Sequence, residues 1–196
     1  MSLDSAALAT LFTEARTHSK WLDRPVNDEV LAQLFELAKI APTSANSNPG
    51  RVVFVKSAEA KEKLRPALMP MNVDKTMSAP VTAIIAFDTR FHLQMPKLFP
   101  ARPDYATRFA DMVGPARDAF TLQNGSLFAG YFVLAARALG LDCGPMGGFD
   151  RAKVDDAFLG ELGWKSLLLI NLGYGDESGL FPRNPRLSFE DAARIV

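Results

Sequence analysis

The pattern of hydrophobic and polar residues along this chain changes between two periods. Apolar residues recur every three or four positions in several stretches, which predicts amphipathic helices over 5–17, 27–41, 58–68, 116–139 and 151–162, with a last helix capped by Ser188. Short apolar or β-rich runs between them predict strands at 52–55, 81–87, 142–146 and 167–172. Helices between short buried strands favour an α+β fold of three layers, with a mixed central β-sheet flanked by helices. No linker or repeat divides the chain, so a single domain over 1–196 is expected.

Two segments interrupt this pattern. Residues 69–80 are expected to be irregular. Residues 88–115 scatter prolines and glycines among aromatic and charged residues, which predicts an excursion with little regular core. A short helix near Tyr105–Met112 and a role as a lid over a site are expected there.

The long helix predicted over 116–139 carries the strongest indication of a partner. Its second half is apolar almost all round, and Gly140 is placed to end it. A helix that is apolar on every face must be covered on every face. A second copy of the chain is an economical cover, so the sequence favours a homodimer.

Composition and charge narrow the function classes. Lys plus Arg (22) equals Asp plus Glu (22), so no overall field attracts nucleic acid or an anionic membrane. No apolar run is long enough to span a bilayer, and the first residues do not resemble a signal peptide. A single cysteine, Cys143, fits a reducing compartment, so a cytoplasmic location is expected.

The sequence offers no self-sufficient catalytic machinery. It has two histidines, no HExxH or paired-cysteine pattern, no P-loop, no GxGxxG and no GxSxG elbow. These absences disfavour a metal site and a nucleophile with its base. A chain without evident acid–base groups often takes its chemistry from a bound cofactor.

Five polar groupings could bind such a cofactor, and each also has an ordinary structural explanation. Arg16, Thr17, His18 and Ser19 suit a phosphate but could be a solvated helix end. The polar loop 41–51 could reach a planar ligand or be a plain turn; its candidates are Pro42, Thr43, Ser44, Asn46 and Asn48.

The other three groupings are an asparagine–lysine pair, a glycine-rich segment and an arginine pair near the C-terminus. Asn72 and Lys75 are three apart and could share a helical face, although surface positions are more common for such a pair. The glycine-rich segment could let the backbone approach a ligand, or could be a turn; its candidates are Pro145, Met146, Gly147 and Gly148. Arg183 and Arg186 add two cations on a loop stiffened by proline.

Together these residues resemble the FMN-dependent nitroreductase family over essentially the whole chain. The resemblance implies that Arg16–Ser19, Arg183 and Arg186 hold the FMN phosphate, and that the loop over Pro42–Asn48 contacts the flavin of the partner subunit. It implies that Asn72 and Lys75 lie at the pyrimidine edge of the ring. It also implies that a backbone N–H of Gly147 or Gly148 faces flavin N5.

Within the family, the motifs at 16–18, 41–46, 144–150 and 185–190 resemble the malonic semialdehyde reductases of pyrimidine breakdown. The resemblance implies ping-pong hydride transfer from NADPH or NADH through flavin N5, here to malonic semialdehyde, giving 3-hydroxypropionate. Asn48 stands where the family usually has Gln, and Gly50 where an aromatic residue often packs. A general nitro or quinone reductase and a flavin-binding protein without turnover remain alternatives.

Overall fold

A computed structural model describes residues 2–196, and Met1 lies outside that range. Four strands form a sheet in the order β1-β2-β4-β3. Their bounds are β1 (Gly50–Val55), β2 (Val81–Asp88), β3 (Asp142–Met146) and β4 (Trp164–Gly173). The central strands β2 and β4 are buried along most of their length, as expected of apolar runs that are covered on both faces.

The expected α+β class with helices flanking a central sheet is confirmed, but the sheet is not mixed. All three strand pairs are antiparallel. In the described chain, parallel pairing is limited to an isolated bridge between Thr17 and Cys143. An apolar run specifies burial and not direction, and the long connections here permit either direction. Strand direction was therefore not readable from the pattern.

The helices are short except for one. Their bounds are α1 (Ser5–Leu8), α2 (Asp28–Ala38), α3 (Ala58–Leu64), α4 (Pro70–Met77), α5 (Met95–Leu98), α6 (Asp104–Asp111), α7 (Gly114–Ala138), α8 (Arg151–Val154) and α9 (Phe189–Ala192). Both α1 and α8 continue as π-helical turns, over Ala9–Thr13 and Asp155–Leu159. Short 3₁₀ turns occur at Ser44–Asn46, Arg65–Ala67, Phe91–Gln94, Gly160–Leu162 and Glu177–Gly179.

The helix ends follow familiar chemistry at several positions. Side chains of Asp4, Ser57, Asp150 and Ser188 accept backbone N–H groups at helix starts. Gly140 follows the end of α7 with φ 76°, a left-handed conformation that glycine adopts without strain.

The expectation of an irregular segment over 69–80 is wrong, because α4 fills most of it. Pro70 occupies the first turn of α4, where its missing N–H would have no intrahelical partner. A proline at that position reads as a helix breaker in the sequence, yet it is compatible with a helix start.

Two apolar clusters cover the two faces of the sheet. One contains Leu34 of α2 and Phe132 of α7, and the other contains Leu64 of α3 and Val154 of α8. The segment 88–115 includes the expected short helix as α6. It also has a small aromatic core of its own, built on Phe91, Met95 and Phe109, so the expectation of little regular core is wrong.

Among residues 2–196, no helix has both the length and the hydropathy needed to cross a membrane, and this includes the 25-residue α7.

Candidate cofactor site

Four arginines converge on one pocket of about 500 Å³ near the chain's two ends. Arg16, Arg183 and Arg186 were predicted there, and α7 adds Arg137. Thr17, Ser19 and Asn184 complete its polar lining, and no acidic side chain of residues 2–196 lines it. Several guanidinium groups without a competing carboxylate favour the binding of an anion such as a phosphate.

Hydrogen bonds hold these arginines in place and leave donors free. Arg16 donates to the carbonyl of Phe181, and Arg183 donates to the carbonyl of Ala15 at 3.2 Å. Arg137 donates through one Nη to the carbonyl of Leu11 at 2.8 Å. Its Nε is buried and has no partner among residues 2–196. A buried donor without an acceptor carries a free-energy cost, and the positive charge of Arg137 remains available to an anion in the pocket.

His18 has a different position from its predicted neighbours. Its side chain is 5% exposed, its Nε2 lies 3.5 Å from Asp142 Oδ1, and it does not line the arginine pocket. Its backbone N–H donates to the carbonyl of Cys143 at 3.0 Å. His18 therefore anchors the N-terminal segment to β3, and any contact between its imidazole and a phosphate stays a prediction.

Helix α4 brings Asn72 and Lys75 to the same side of the sheet. Asn72 is buried, and its Nδ2 donates to the carbonyl of Gly148 at 2.7 Å. Lys75 is half-buried, and none of the ion pairs within residues 2–196 includes its ammonium group. Its carbonyl accepts from Trp21 Nε1 at 3.0 Å and from Asn171 Nδ2 at 3.1 Å.

The glycine pair after β3 divides into a packed residue and an open one. A Cβ at Gly148 would lie 2.4 Å from Asn72 Nδ2, so only glycine fits there without a shift. Gly147 is exposed, and a Cβ there would have no heavy atom within 4 Å. Pro145 and Met146 belong to β3 itself. The backbone at Gly147 is therefore open to a ligand.

These groupings lie along the edge strand β3, and we call them together the edge site. The Thr17–Cys143 bridge joins the N-terminal segment to β3, and the Asn72–Gly148 hydrogen bond joins α4 to the glycine pair. One chain thus brings together the arginine pocket, the pair on α4 and the backbone at Gly147.

The loop over residues 41–51, which we call the polar loop, is built differently. Ala45, Asn46 and Asn48 have φ angles of 52°, 52° and 40°. Residues other than glycine pay a steric cost there. The Ser44 N–H donates to Asn124 Oδ1 and Asn46 Nδ2 donates to the Leu98 carbonyl, both at 2.8 Å. Tertiary contacts therefore hold a conformation that the backbone disfavours.

The polar loop does not reach the arginine pocket of its own chain. Asn124, which binds the loop, and Arg137, which lines the pocket, are 13 residues apart on α7. At 1.5 Å per residue, this separation is about 20 Å along the helix axis. The structure therefore brings the other predicted groups together and leaves Pro42, Thr43, Ser44, Asn46 and Asn48 elsewhere.

The polar loop instead borders a second cavity, of about 490 Å³. Thr43 and Asn48 line it with three cations, Lys39, Arg51 and Lys97, and no acidic side chain lines it. Its apolar walls are Phe35, Ile40, Ala41, Leu98 and Phe128. Gln94, Lys97 and Leu98 come from the 88–115 segment, which therefore forms part of a cavity wall.

The cysteine and the second histidine offer no acid–base pair to either cavity. Burial raises the pKa of the Cys143 thiol to about 12, so it stays protonated near neutral pH. Burial and the nearby Arg117 lower the pKa of His92. This arrangement is consistent with a site whose chemistry is supplied by a bound cofactor.

Sequence reasoning missed Arg137 as a site residue. A signal was present, because Arg137 is the one charged residue within the apolar half of α7. A charge in such a stretch needs a partner or a ligand, but the pattern alone does not show which.

Comparison with known proteins shows the family. The model of the Nitroreductase family matches residues 13–174. A protein of Ralstonia nicotianae, provisionally named NADH dehydrogenase/NAD(P)H nitroreductase, is 54% identical over 100% of this chain and 99% of its own. A relative of the same name from Stenotrophomonas maltophilia is 56% identical over 100% and 98%.

Two solved structures have the same fold at lower identity. A nitroreductase-like protein of Bacillus subtilis superposes with a TM-score of 0.88 at 23% identity, covering 98% of this chain and 100% of that one. A structure from Exiguobacterium sibiricum, described as a complex with FMN, has a TM-score of 0.87 at 20% identity and covers 100% and 99%. With the family model matching most of its length, this chain belongs to the nitroreductase family.

Proposed function

We propose that this chain is an FMN-dependent NAD(P)H oxidoreductase. The observation that carries the proposal is the arginine pocket. Its Thr17 is bridged to Cys143 of β3, the strand that leads to Gly147 and to the Gly148 carbonyl bound by Asn72. The names of the relatives and the FMN in the Exiguobacterium structure support it. When bound, FMN accepts a hydride from NADPH or NADH and passes it to a second substrate.

The chain's own residues would bind and orient the cofactor. Arg16, Arg183 and Arg186, with Arg137, would hold the phosphate with the hydroxyls of Thr17 and Ser19. Asn72 and Lys75 would contact the ring's pyrimidine edge, where the Lys75 ammonium stabilises developing negative charge. The exposed backbone at Gly147, or that at Gly148, would supply the N–H facing N5.

We also propose that the protein works as a homodimer in which the polar loop serves the partner's cofactor. The loop lies far from its own arginine pocket, and α7 exposes Leu122, Leu127 and Tyr131 by 41–49%. The C-terminal residues Phe181 and Leu187 are 81% and 75% exposed. Apolar surface of this extent is usual where another subunit packs.

A substitution in the polar loop tests this shared site. Asn46→Ala removes the hydrogen bond to Leu98 and one to Asn48. FMN affinity and dimer stability should both fall, as followed by flavin fluorescence and by sedimentation over a dilution series. Loss of one without the other would show that the loop does not join cofactor to interface.

Anaerobic addition of NADPH and NADH tests the proposed activity. Protein loaded with FMN should lose its yellow colour quickly with at least one of them. A protein that binds no FMN would overturn the proposal. A protein that binds FMN without bleaching would instead be the flavin-binding protein without turnover.

The proposal extends to the second substrate, which accepts the hydride. We favour a small nitro, quinone or aldehyde acceptor, and malonic semialdehyde in particular on the motifs at 144–150 and 185–190. In the second cavity Lys39 is paired with Glu36 and Arg51 with Asp88, which leaves Lys97 as the lining cation suited to an acceptor that carries a carboxylate. Comparing kcat/KM for malonic semialdehyde, a nitrofuran and a quinone decides between the aldehyde and a general nitro or quinone reductase.

Lys97→Met sharpens this comparison. Lys97 is exposed and has no ion pair among those found in residues 2–196. The variant should raise KM for the semialdehyde more than for an uncharged quinone. An equal change for both acceptors would count against a carboxylate subsite in this cavity.

A further inference from the structure

A buried lysine lies behind the edge site and takes no part in the proposed chemistry. Lys61 of α3 is 4% exposed. Its Nζ donates to the Thr76 carbonyl at 2.8 Å and to Thr82 Oγ1 at 2.6 Å. Burial lowers the pKa of Lys61 to about 7. Such a costly position for a lysine needs a structural or functional explanation.

The two hydrogen bonds from Lys61 determine the direction of those that follow. Thr82 Oγ1 accepts from Lys61, so its hydroxyl proton is free for Asn171 Oδ1 at 2.7 Å. With that oxygen accepting, the Asn171 amide nitrogen faces the Lys75 carbonyl at 3.1 Å. Thr82 and Asn171 are directly opposite each other in the β2–β4 register. A single directed chain of donors therefore runs from α3 through the sheet to α4.

This chain ends on the last turn of the helix that carries both proposed ring contacts. Asn171 donates to the Lys75 carbonyl, and Lys61 donates to the Thr76 carbonyl. Trp21 also donates to the Lys75 carbonyl. Because α4 has only eight residues, a shift of its last turn would move Lys75 and Asn72 together. Asn72 would then also lose its alignment with the Gly148 carbonyl.

We propose that Lys61 is a positioning residue that sets the place of Lys75 and Asn72 through Thr82 and Asn171. The inference rests on the proposed function, because it assumes that α4 contacts FMN. Lys61 itself lines neither the arginine pocket nor the second cavity. Its effect on the reaction is transmitted by the two carbonyls at the end of α4.

Two matched pairs of variants test the role of the network. Lys61→Met keeps the length of the side chain and removes the donor, whereas Lys63→Met changes an exposed lysine of the same helix. Thr82→Val breaks the chain at its second member, whereas Thr82→Ser keeps the hydroxyl. FMN dissociation constants, visible spectra of bound flavin, kcat and KM are measured for all four, with melting temperature as a check on folding.

The expected result is specific to the network. Lys61→Met and Thr82→Val should bind FMN about tenfold more weakly, the scale of one lost buried hydrogen bond. Their bound flavin should show a shifted spectrum, and kcat should fall more than KM for the nicotinamide rises. Lys63→Met and Thr82→Ser should match the natural protein. If Lys61→Met does not fold, the Thr82 pair decides.

Two contrary results have different meanings. If Lys61→Met and Thr82→Val lower only the melting temperature, with FMN affinity and spectrum unchanged, the network is merely structural and the inference is overturned. If the natural protein binds no FMN, the proposed function fails first and the inference falls with it.

Discussion

The edge site and the polar loop hold their polar side chains in different ways. The edge site rests in part on regular elements, because α4 carries Asn72 and Lys75 and α7 carries Arg137. Its other arginines lie in connecting segments whose backbone is not strained. The polar loop has three residues with left-handed φ angles and is held by contacts from α7 and the 88–115 segment. Side chains on regular elements are held by those elements, whereas a strained loop depends on what surrounds it.

The difference is consistent with the proposed homodimer, in which each region has a separate role. The edge site directs four arginines of one chain toward a single pocket. The polar loop has its amides largely bound to one another, for example Asn48 Nδ2 to Asn46 Oδ1 at 2.7 Å. A loop whose amides are already bonded within its own chain can present a preformed surface to another subunit. We therefore expect changes in the two regions to have effects of different size and kind.

The largest effect is expected from removing two arginines of the edge site. Arg16→Met combined with Arg183→Met removes two charged hydrogen bonds to the proposed phosphate, each worth about 1.5–3 kcal/mol. FMN should bind roughly 100-fold more weakly or worse in a fluorescence titration. Arg65→Met, which removes an exposed ion pair with Glu62, is the control. Unchanged FMN affinity would show that the phosphate does not bind in this pocket.

The neighbouring glycines should respond in opposite ways. Gly148→Ala forces its Cβ onto Asn72, and overpacking of this kind costs about 2 kcal/mol of unfolding free energy. Gly147→Ala adds a methyl group to open space and should leave the stability of the FMN-free protein unchanged.

FMN affinity then separates the two glycine variants further. If Gly147 faces the flavin, Gly147→Ala should weaken FMN binding without lowering the melting temperature of the free protein. Normal FMN binding by Gly147→Ala would place the flavin elsewhere along β3.

A pH-dependent difference in stability is expected at the buried lysine. Lys61 has an ordinary pKa of 10.5 in the unfolded chain and a pKa of about 7 in the folded one. Below the folded pKa both states are protonated, and the folded state bears the full cost of burying the charge. Above it, only the unfolded chain keeps the proton, so stability rises with pH until the unfolded pKa is reached.

Urea denaturation checks this sign. From about pH 7 to about pH 8, the natural protein should gain about 1 kcal/mol relative to Lys61→Met, which has no proton to lose. Lys63→Met should follow the natural protein across the same range. A parallel pH dependence in Lys61→Met would assign the titration to another group.

The smallest effect is expected in the polar loop. Ala45→Gly relieves a left-handed conformation worth about 1 kcal/mol, and the greater freedom of glycine in the unfolded chain offsets part of this. A net stabilisation of about 0.5 kcal/mol is expected in thermal unfolding. Ala32→Gly, on the exposed side of α2, should instead destabilise by about 1 kcal/mol. If both variants lower the stability, the loop is not strained.

Much of the fold could be predicted because it follows local patterns. The four strands and the long helix appeared at the expected places, since apolar runs and periodic spacing directly reflect burial. Helix α4 was missed because a proline at a helix start has the same appearance as one in a loop. The strand directions were missed because burial does not depend on direction.

The buried network behind α4 was missed for a related reason. Lys61 follows Ser57 within a charged helix and looks like an ordinary exposed lysine. Thr82 and Asn171 belong to different strands, 89 residues apart, and only the β2–β4 register places them face to face. Arg137 was visible as a charge within an apolar helix, but its approach to Arg16 depends on how the chain's ends pack against α7.

The sequence by itself determined most of the elements, the burial of their apolar faces and the residue types suited to a flavin, because these depend on neighbours along the chain. Only the tertiary structure decided which of those residues share a site, since hydrogen bonds and ion binding act over a few ångströms in space. It gathered the arginines, α4 and Gly147 along β3, left the polar loop about 20 Å away along α7, and joined Lys61 to Lys75 through the sheet.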